Sequence, residues 1–189
     1  MRAVEEKILR DGVIVDNEII KVDSFLNHQI DLNVLQEFAN EVKDQFKNQK
    51  IDKILTIETS GIAVAYAVAE AFGNIPLLYA KKSKSKIVSG NLLKTSIKSF
   101  TRNEICEITI NSKYLPKGTN VLIVDDFLAE GNAGIGLIEL CNKAEANVIG
   151  VAVVIEKYFQ GGHKKIEDLG IKVFAGASIK EFKDNKPVF

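Results

Sequence analysis

The pattern of apolar and polar positions predicts strands that alternate with helices over most of the chain. Helical spacing covers residues 61–73 and a second stretch from about 132 to 146. Short apolar runs typical of buried strands precede or follow these helices. The runs are residues 53–58, 75–81, 120–126 and 147–156. Apolar strands separated by helices predict an α/β fold, with a parallel sheet flanked by helices on both faces.

The two ends of the chain add further elements. Residues 2–11 predict a short helix that Gly12 ends, and residues 18–22 predict a strand. Asp31 is placed to cap a helix. The buried face of that helix carries Leu35, Phe38, Val42 and Phe46. Residues 171–178 predict the last strand of the chain.

Residues 94–110 depart from the alternation of strands and helices. They read as two alternating strands around a turn at 101–104, which predicts an exposed hairpin, and they follow a lysine-rich segment at 81–86. Such a hairpin is either a decoration of the fold or a lid over a site, and the pattern leaves both interpretations open.

Composition restricts the class of protein. The 189 residues fit one domain, 1–189, with 46% apolar and 26% charged residues. The 25 basic and 25 acidic residues balance, so we expect neither nucleic acid nor a membrane as a partner. Cys106 and Cys141 form no metal-ligand spacing with each other or with a histidine. Without an apolar leader or membrane-spanning run, a cytoplasmic location is expected.

The segment from Val121 to Ala133 carries the clearest chemistry. Asp125 and Asp126 follow an apolar run, where carboxylates need hydroxyl or metal partners. Small residues then lead into a helix, and converging backbone amides at a helix start attract anions. This combination suits a ribose 5-phosphate, although the acids of a surface turn that caps a helix would look similar. The glycine spacing of dinucleotide folds and the G-x-x-x-x-G-K-[ST] phosphate loop are both missing from the sequence.

An apolar strand, two acids and a loop of the form A-x-G-x-A resemble the signature of the type I phosphoribosyltransferases. That resemblance implies the fold of the family, with a small hood built from about residues 1–36 and 157–189 and a flexible hairpin loop. It implies that Asp125 and Asp126 are catalytic and hold the ribose hydroxyls of 5-phosphoribosyl diphosphate (PRPP). The loop that would hold the 5-phosphate consists of Ala129, Glu130, Gly131, Asn132 and Ala133.

The same resemblance assigns the pyrophosphate of PRPP to a second group of residues. The turn after the first buried strand contributes Thr59 and Ser60, where the family often has an unusual peptide geometry, and the end of the next strand contributes Lys81 and Lys82. The implied cofactor is Mg²⁺, bridged by PRPP near the two aspartates and not confidently bound by protein ligands. The hairpin at 94–110 would be the loop that closes over the substrates.

Four segments resemble one branch of the family, the bacterial xanthine phosphoribosyltransferases, along almost the whole chain. They are KVDSFLNHQID (21–31), TIETSGIA (56–63), DDFLAEGNA (125–133) and VVIEKYFQ (153–160). The branch implies transfer of the phosphoribosyl group to N9 of xanthine, which yields xanthosine 5-monophosphate and pyrophosphate, in a homodimer. Ile20, Asn27 and Lys157 would hold the purine. An ammonium can donate to the 6-oxygen, and an amide can both donate and accept beside the 2-oxygen.

Two departures from the family pattern affect these expectations. Glu130 and Ala133 stand where many relatives have threonine, so the loop relies on backbone amides, and we expect Glu130 to point to solvent. Ala129 stands where relatives that use hypoxanthine and guanine have aspartate, which leaves no evident general base. The alternatives are an enzyme for guanine, hypoxanthine or adenine, and a PRPP-binding purine regulator without catalysis.

Overall fold

The structure, a computed structural model, describes residues 2–82, 91–98 and 105–189. The helices are α1 (Ala3–Asp11), α2 (Leu32–Gln45), α3 (Gly61–Ala71), α4 (Asn132–Lys143) and α5 (Gly162–Glu167). The strands are β1 (Val13–Val15), β2 (Ile19–Lys21), β3 (Lys53–Ile57), β4 (Leu77–Lys82), β5 (Leu92–Lys98), β6 (Ile105–Asn111), β7 (Asn120–Leu128), β8 (Asn147–Lys157), β9 (Val173–Ile179), β10 (Glu181–Lys183) and β11 (Lys186–Val188). In this part of the chain, no helix is long and apolar enough to cross a bilayer.

A seven-stranded sheet forms the centre of the molecule, in the order β5-β6-β4-β3-β7-β8-β9. All pairs from β4 through β3, β7 and β8 to β9 are parallel, as the sequence predicts. After β3 the chain adds β4 on the side of one edge of the sheet, and after β7 it adds β8 and β9 on the side of the other edge. The carboxyl ends of β3 and β7 therefore flank a topological switch point, where open α/β sheets bind ligands.

The predicted hairpin is present, but it is part of the sheet. β5 and β6 pair antiparallel from Leu92 opposite Asn111 to Lys98 opposite Ile105, and β6 also pairs with β4. The two strands of the hairpin are therefore not exposed as predicted, because Ile108 is fully buried in the apolar core on one face of the sheet. The predicted turn at 101–104 and residues 83–86 of the lysine-rich segment lie outside the described residues.

Alternating side chains of the central strands feed two apolar cores. Leu122 and Val124 of β7 pack with α1, α2 and α3 on one face of the sheet. Val121 and Ile123 pack with α4 and α5 on the other face. Both faces of the sheet are covered, which explains why its strands are continuous apolar runs.

Two small hairpins lie beside the sheet and connect the ends of the chain. The β1–β2 and β10–β11 hairpins meet where Asn17 N donates to Asn185 Oδ1 at 3.0 Å and Asn185 N donates to Asn17 Oδ1 at 2.7 Å. The strand predicted at residues 171–178 is present as β9, but it is not the last strand of the chain, since β10 and β11 follow it. α1 packs against α2 and β9. The assignment of residues 1–36 and 157–189 to the hood stays a prediction.

Candidate functional site

A cavity of about 640 Å³ lies at the carboxyl ends of the central strands, beside the switch point. Most of the residues singled out in the sequence line it, although they come from distant parts of the chain. They are Ile20, Asn27, Ser60, Lys82, Asp126, Ala129, Glu130, Gly131, Asn132, Ala133 and Lys157. Thr59, Lys81 and Asp125 are next to lining residues in the chain but do not line the cavity themselves.

The two acidic residues lie within β7, which continues to Leu128. The sequence predicts that both emerge at the end of the strand, and this boundary is wrong by two residues. Of the two, only Asp126 lines the cavity. Asp125 points under the start of α3, where a Cβ on Gly61 would lie 2.5 Å from Asp125 Oδ1.

Both carboxylates are largely shielded from solvent, each with 9% of the residue exposed. Asp126 N donates to Asp125 Oδ1 at 2.9 Å, and Phe127 N donates to Asp126 Oδ1 at 3.0 Å. Burial, and then the neighbouring charge of Asp126, raise the pKa of Asp125 well above its ordinary value. Two buried carboxylates side by side are therefore costly to ionise together, and hydroxyl donors or a cation would relieve this repulsion.

We call residues Ala129–Ala133 the phosphate loop. Gly131 has a φ of +87°, which turns the chain into α4 and which a residue with a side chain adopts only under strain. The loop lines the cavity and ends in the first turn of α4, where backbone amides lack partners within the helix. This geometry is suited to an anion.

Glu130 does not point to solvent, contrary to the expectation from the sequence. The residue is half-buried and lines the cavity, and its carboxylate accepts a hydrogen bond from Asn132 Nδ2 at 3.2 Å. The nearby amide donor of Asn132 explains this inward position, because a partly buried carboxylate needs a donor. Glu130, with its negative charge, therefore forms part of the wall of the predicted phosphate site.

The turn between β3 and α3 lies across the cavity from the phosphate loop. The peptide bond between Glu58 and Thr59 is cis, which agrees with the unusual geometry implied by the family resemblance. Glu58 Oε1 accepts a hydrogen bond from Lys82 N at 2.5 Å and ties this turn to the end of β4. Ser60 and Lys82 thus line the same wall.

The opposite end of the cavity is formed by the N-terminal hairpin and the end of β8. Lys157 is 8% exposed, and its ammonium donates to the carbonyl of Glu18 at 3.0 Å. Burial lowers the pKa of Lys157 from its ordinary value. Ile20 is buried and Asn27 is exposed at the same end. An apolar side chain, an amide and an ammonium are groups that suit a flat heterocycle with ring oxygens.

Several cavity residues were missed by the sequence reasoning. They are Ile19, Ile97, Lys98, Cys106, Phe127, Leu128 and Gly134. Ile97 and Lys98 end β5, and Cys106 is the second residue of β6, so the hairpin contributes a wall of the cavity. The alternation of the hairpin strands could have indicated which side chains share a face, but not that this face meets the phosphate loop.

The donor set of the site fits Mg²⁺ that is held partly by substrate. Among residues 2–82, 91–98 and 105–189, no group of three His, Cys, Asp or Glu side chains could hold a metal ion by itself. Mg²⁺ is usually bound through one or two carboxylates together with substrate phosphates. Asp126, facing the cavity with Asp125 behind it, meets that requirement.

The cavity and the A-x-G-x-A loop lie at the switch point of a doubly wound sheet. Residues 21–182 match the family model described as the phosphoribosyl transferase domain. The chain therefore belongs to the phosphoribosyltransferase family, and the type I fold predicted from the sequence is confirmed.

Curated relatives extend this match over the full chain. A xanthine phosphoribosyltransferase of Clostridioides difficile (strain 630) is 52% identical over 162 residues, which are 86% of this chain and 85% of that protein. A xanthine phosphoribosyltransferase of Clostridium tetani (strain Massachusetts / E88) is 45% identical over 189 residues, which cover 100% of both chains.

Solved structures support the fold independently. The APRTase from Giardia lamblia complexed with 9-deazaadenine has a TM-score of 0.79 at 20% identity and covers 94% of this chain and 98% of its own. The adenine phosphoribosyltransferase of Saccharomyces cerevisiae has a TM-score of 0.74 at 22% identity, with 92% and 98% covered. At these identities the likeness concerns the fold alone.

Proposed function

We propose that this protein is a xanthine phosphoribosyltransferase, a pentosyltransferase that converts PRPP and xanthine into xanthosine 5-monophosphate and pyrophosphate. The observation that carries the proposal is one cavity that joins Asp126 and the phosphate loop to Ile20, Asn27 and Lys157. The full-length relatives named xanthine phosphoribosyltransferase support the choice of purine.

The two halves of the cavity divide the substrates between them. The phosphate loop would take the 5-phosphate through its amides, and Asp126 would accept hydrogen bonds from ribose hydroxyls. Asp125 would act from behind, through its hydrogen bond from the amide of Asp126. Ser60 and Lys82 would hold the pyrophosphate, with Thr59 and Lys81 beside them in the chain.

The reaction forms a bond from N9 of the purine to the anomeric carbon of ribose as the bond from that carbon to pyrophosphate breaks, and the proton of the purine is released to solvent. Positive charge develops on the ribose ring, so the nearby carboxylates stabilise the transition state electrostatically. Asp126, with Asp125 behind it, would hold Mg²⁺ together with PRPP, and the ion would neutralise charge on the leaving pyrophosphate. Lys157 would donate to the 6-oxygen of the purine and fix its orientation.

Product analysis tests this proposal directly. The protein is incubated with PRPP and Mg²⁺ and with xanthine, guanine, hypoxanthine or adenine, and the nucleotide and pyrophosphate are quantified. Xanthine is expected to give the highest kcat/KM. A higher kcat/KM for another purine would overturn the xanthine assignment, and PRPP binding without turnover of any purine would indicate a regulator.

The proposal extends to assembly and location. We propose a homodimer, as the family resemblance implies, and a cytoplasmic site of action, with PRPP and xanthine as the partners and no role for nucleic acid or membrane. The balanced charge of the chain supports the last point. Light scattering of the purified protein tests the dimer, since a single species of about twice 20.8 kDa is expected.

A further inference from the structure

Helix α5 lies directly against the phosphate loop, on the side away from the cavity. Gly162 N donates to the carbonyl of Ala129 at 3.1 Å. A Cβ on Gly162 would lie 2.6 Å from Gly131 N and 2.8 Å from the carbonyl carbon of Glu130. The two backbones are therefore in contact, with no room for a side chain between them.

A lysine of α5 makes a second contact with the same loop. Lys165 Nζ donates to the carbonyl of Glu130 at 2.9 Å. Two successive carbonyls of the loop are thus held by α5. In a trans peptide the N–H points opposite to the C=O, so the amides of Glu130 and Gly131 are turned away from α5. Among the described residues, no hydrogen-bond acceptor faces either amide.

α5 is itself anchored at two points, one on helix α4 and one on strand β8. Ile166 is fully buried and lies 3.1 Å from where a Cβ of Gly134 would be. His163 Nδ1 lies 2.6 Å from Oε2 of Glu156, a carboxylate that is only 2% exposed at the end of β8. The helix that holds the loop is therefore fixed to the strand that also carries Lys157.

We propose that α5 is a brace for the phosphate loop, in which Lys165 and His163 are positioning residues for the substrate that carries the 5-phosphate. Lys165 orients the Glu130 carbonyl so that the loop amides face the anion, and His163 holds the helix in place. This inference rests on the proposed function, because it takes Ala129–Ala133 as the site of the 5-phosphate.

The chain offers a matched pair of lysines to test the brace. Lys164 and Lys165 are neighbours on α5 and carry the same charge, but Lys164 is paired with Asp168 at 3.0 Å and makes no contact with the loop. Lys165→Ala is expected to raise the Kd for ribose 5-phosphate and the KM for PRPP by about 3- to 10-fold, because a charge-assisted hydrogen bond is lost. Lys164→Ala is expected to leave both within about twofold.

Two readouts separate positioning from other roles. The KM for xanthine and kcat are expected to stay within about twofold in Lys165→Ala, since the purine end of the cavity is untouched. The ratio of Kd values between Lys165→Ala and the unchanged protein is expected to persist from 0.05 to 0.5 M NaCl, where a long-range charge effect would be screened. Equal effects of the two lysine substitutions, or a ratio that disappears at high salt, would overturn the proposal.

His163 supplies a second and independent variant. His163→Gln retains an N–H donor for Glu156, so its Kd for ribose 5-phosphate is expected to stay within about threefold of the wild-type value. His163→Ala lacks this donor and is expected to raise the Kd more than His163→Gln does. The same affinity for both variants would contradict the role of His163. Calorimetry with ribose 5-phosphate requires no turnover, so it tests the brace separately from the proposed function. If the protein binds ribose 5-phosphate but does not use xanthine, the proposed function is wrong and the brace can still be tested.

Discussion

Asp125 and Asp126 are adjacent in β7, yet they meet different surroundings. Asp126 lines the cavity, and Asp125 lies under Gly61 at the start of α3. Burial raises the pKa of Asp125, whereas Asp126 is the carboxylate for which we propose contact with the ribose hydroxyls. The sequence motif alone does not separate the surroundings of the two acids.

Asp126→Asn is expected to lose most of the turnover, by about 100-fold or more, because the charge that stabilises the transition state is removed. The fold should survive, since an amide of the same shape still accepts the hydrogen bond from Phe127 N. Steady-state rates with PRPP and xanthine, together with thermal melting, check both points. Asp44→Asn, an exposed position on α2, is the control. Near-normal turnover in Asp126→Asn would contradict the proposed role of Asp126.

Glu130→Gln is expected to strengthen the binding of PRPP, lowering its KM by about 3- to 10-fold. Glu130 belongs to the phosphate loop, lines the cavity and accepts a hydrogen bond from the side-chain amide of Asn132, so its negative charge is expected to repel an incoming phosphate. Because the nucleotide product carries the same 5-phosphate, product inhibition should strengthen in parallel. Initial rates over a PRPP series, with and without xanthosine 5-monophosphate, measure both effects.

Glu145→Gln provides the control for the change of charge, since Glu145 is exposed and pairs with Lys117 after the end of α4. An unchanged or higher KM for PRPP in Glu130→Gln would show that the carboxylate does not oppose phosphate binding.

At the scale of elements, α2 illustrates how a local signal and a tertiary contact combine. Asp31 caps the helix by accepting from Asn33 N at 3.1 Å and Val34 N at 3.4 Å, as the sequence predicts. It also pairs with Lys7 of α1 at 2.7 Å, which the sequence does not indicate. The hydrogen bond from Lys7, and then the backbone amides, lower the pKa of Asp31.

Asp31→Ala is expected to reduce the free energy of unfolding at pH 7 by about 1–2 kcal/mol through loss of the cap. Asp31→Asn keeps an accepting oxygen and should lose less. The folded pKa of Asp31 is lowered, so its stabilisation is complete above the unfolded pKa of about 4 and is lost as the pH falls through the folded value. Urea unfolding at pH 7 and pH 3 should show a larger loss at pH 7; equal losses would contradict this assignment.

The hairpin arms show where element prediction stops. The alternation of β5 and β6 predicts two strands, and their pairing is confirmed. The same alternation does not indicate that β6 continues the sheet beside β4. That pairing depends on Ile108 and Ile110 reaching the core that α4 covers, which is a long-range packing effect.

At the scale of the whole molecule, the two ends of the chain meet beside the end of the cavity that Lys157 lines, where we propose that the purine binds. Asn17 and Asn185 exchange two hydrogen bonds, and both have positive φ values, which asparagine tolerates better than most residues. Lys157 reaches the carbonyl of Glu18 next to this junction. The position of the N-terminal hairpin therefore depends on the C-terminal hairpin.

Asn185→Gly is expected to raise the KM for xanthine by about 2- to 10-fold, since one of the two connecting hydrogen bonds is lost while the backbone conformation remains allowed. The KM for PRPP should change by less than about twofold, because the phosphate loop belongs to the sheet and α4. Asp184→Gly is the matched control, as Asp184 lies in the same turn with a φ of +50°. A parallel rise of both KM values would show a general loss of structure.

The sequence by itself determined the central strands, helices α1 to α4 and the loop motif that follows β7, because hydrophobic period, caps and turn residues act over short distances. The residues around PRPP and the purine were also named from motifs, and most of them line one cavity. Tertiary structure decided what local patterns do not encode. It placed β6 in the sheet, turned Asp125 away from the cavity and Glu130 into it, and set α5 behind the phosphate loop. Each of these depends on packing between segments far apart in the chain.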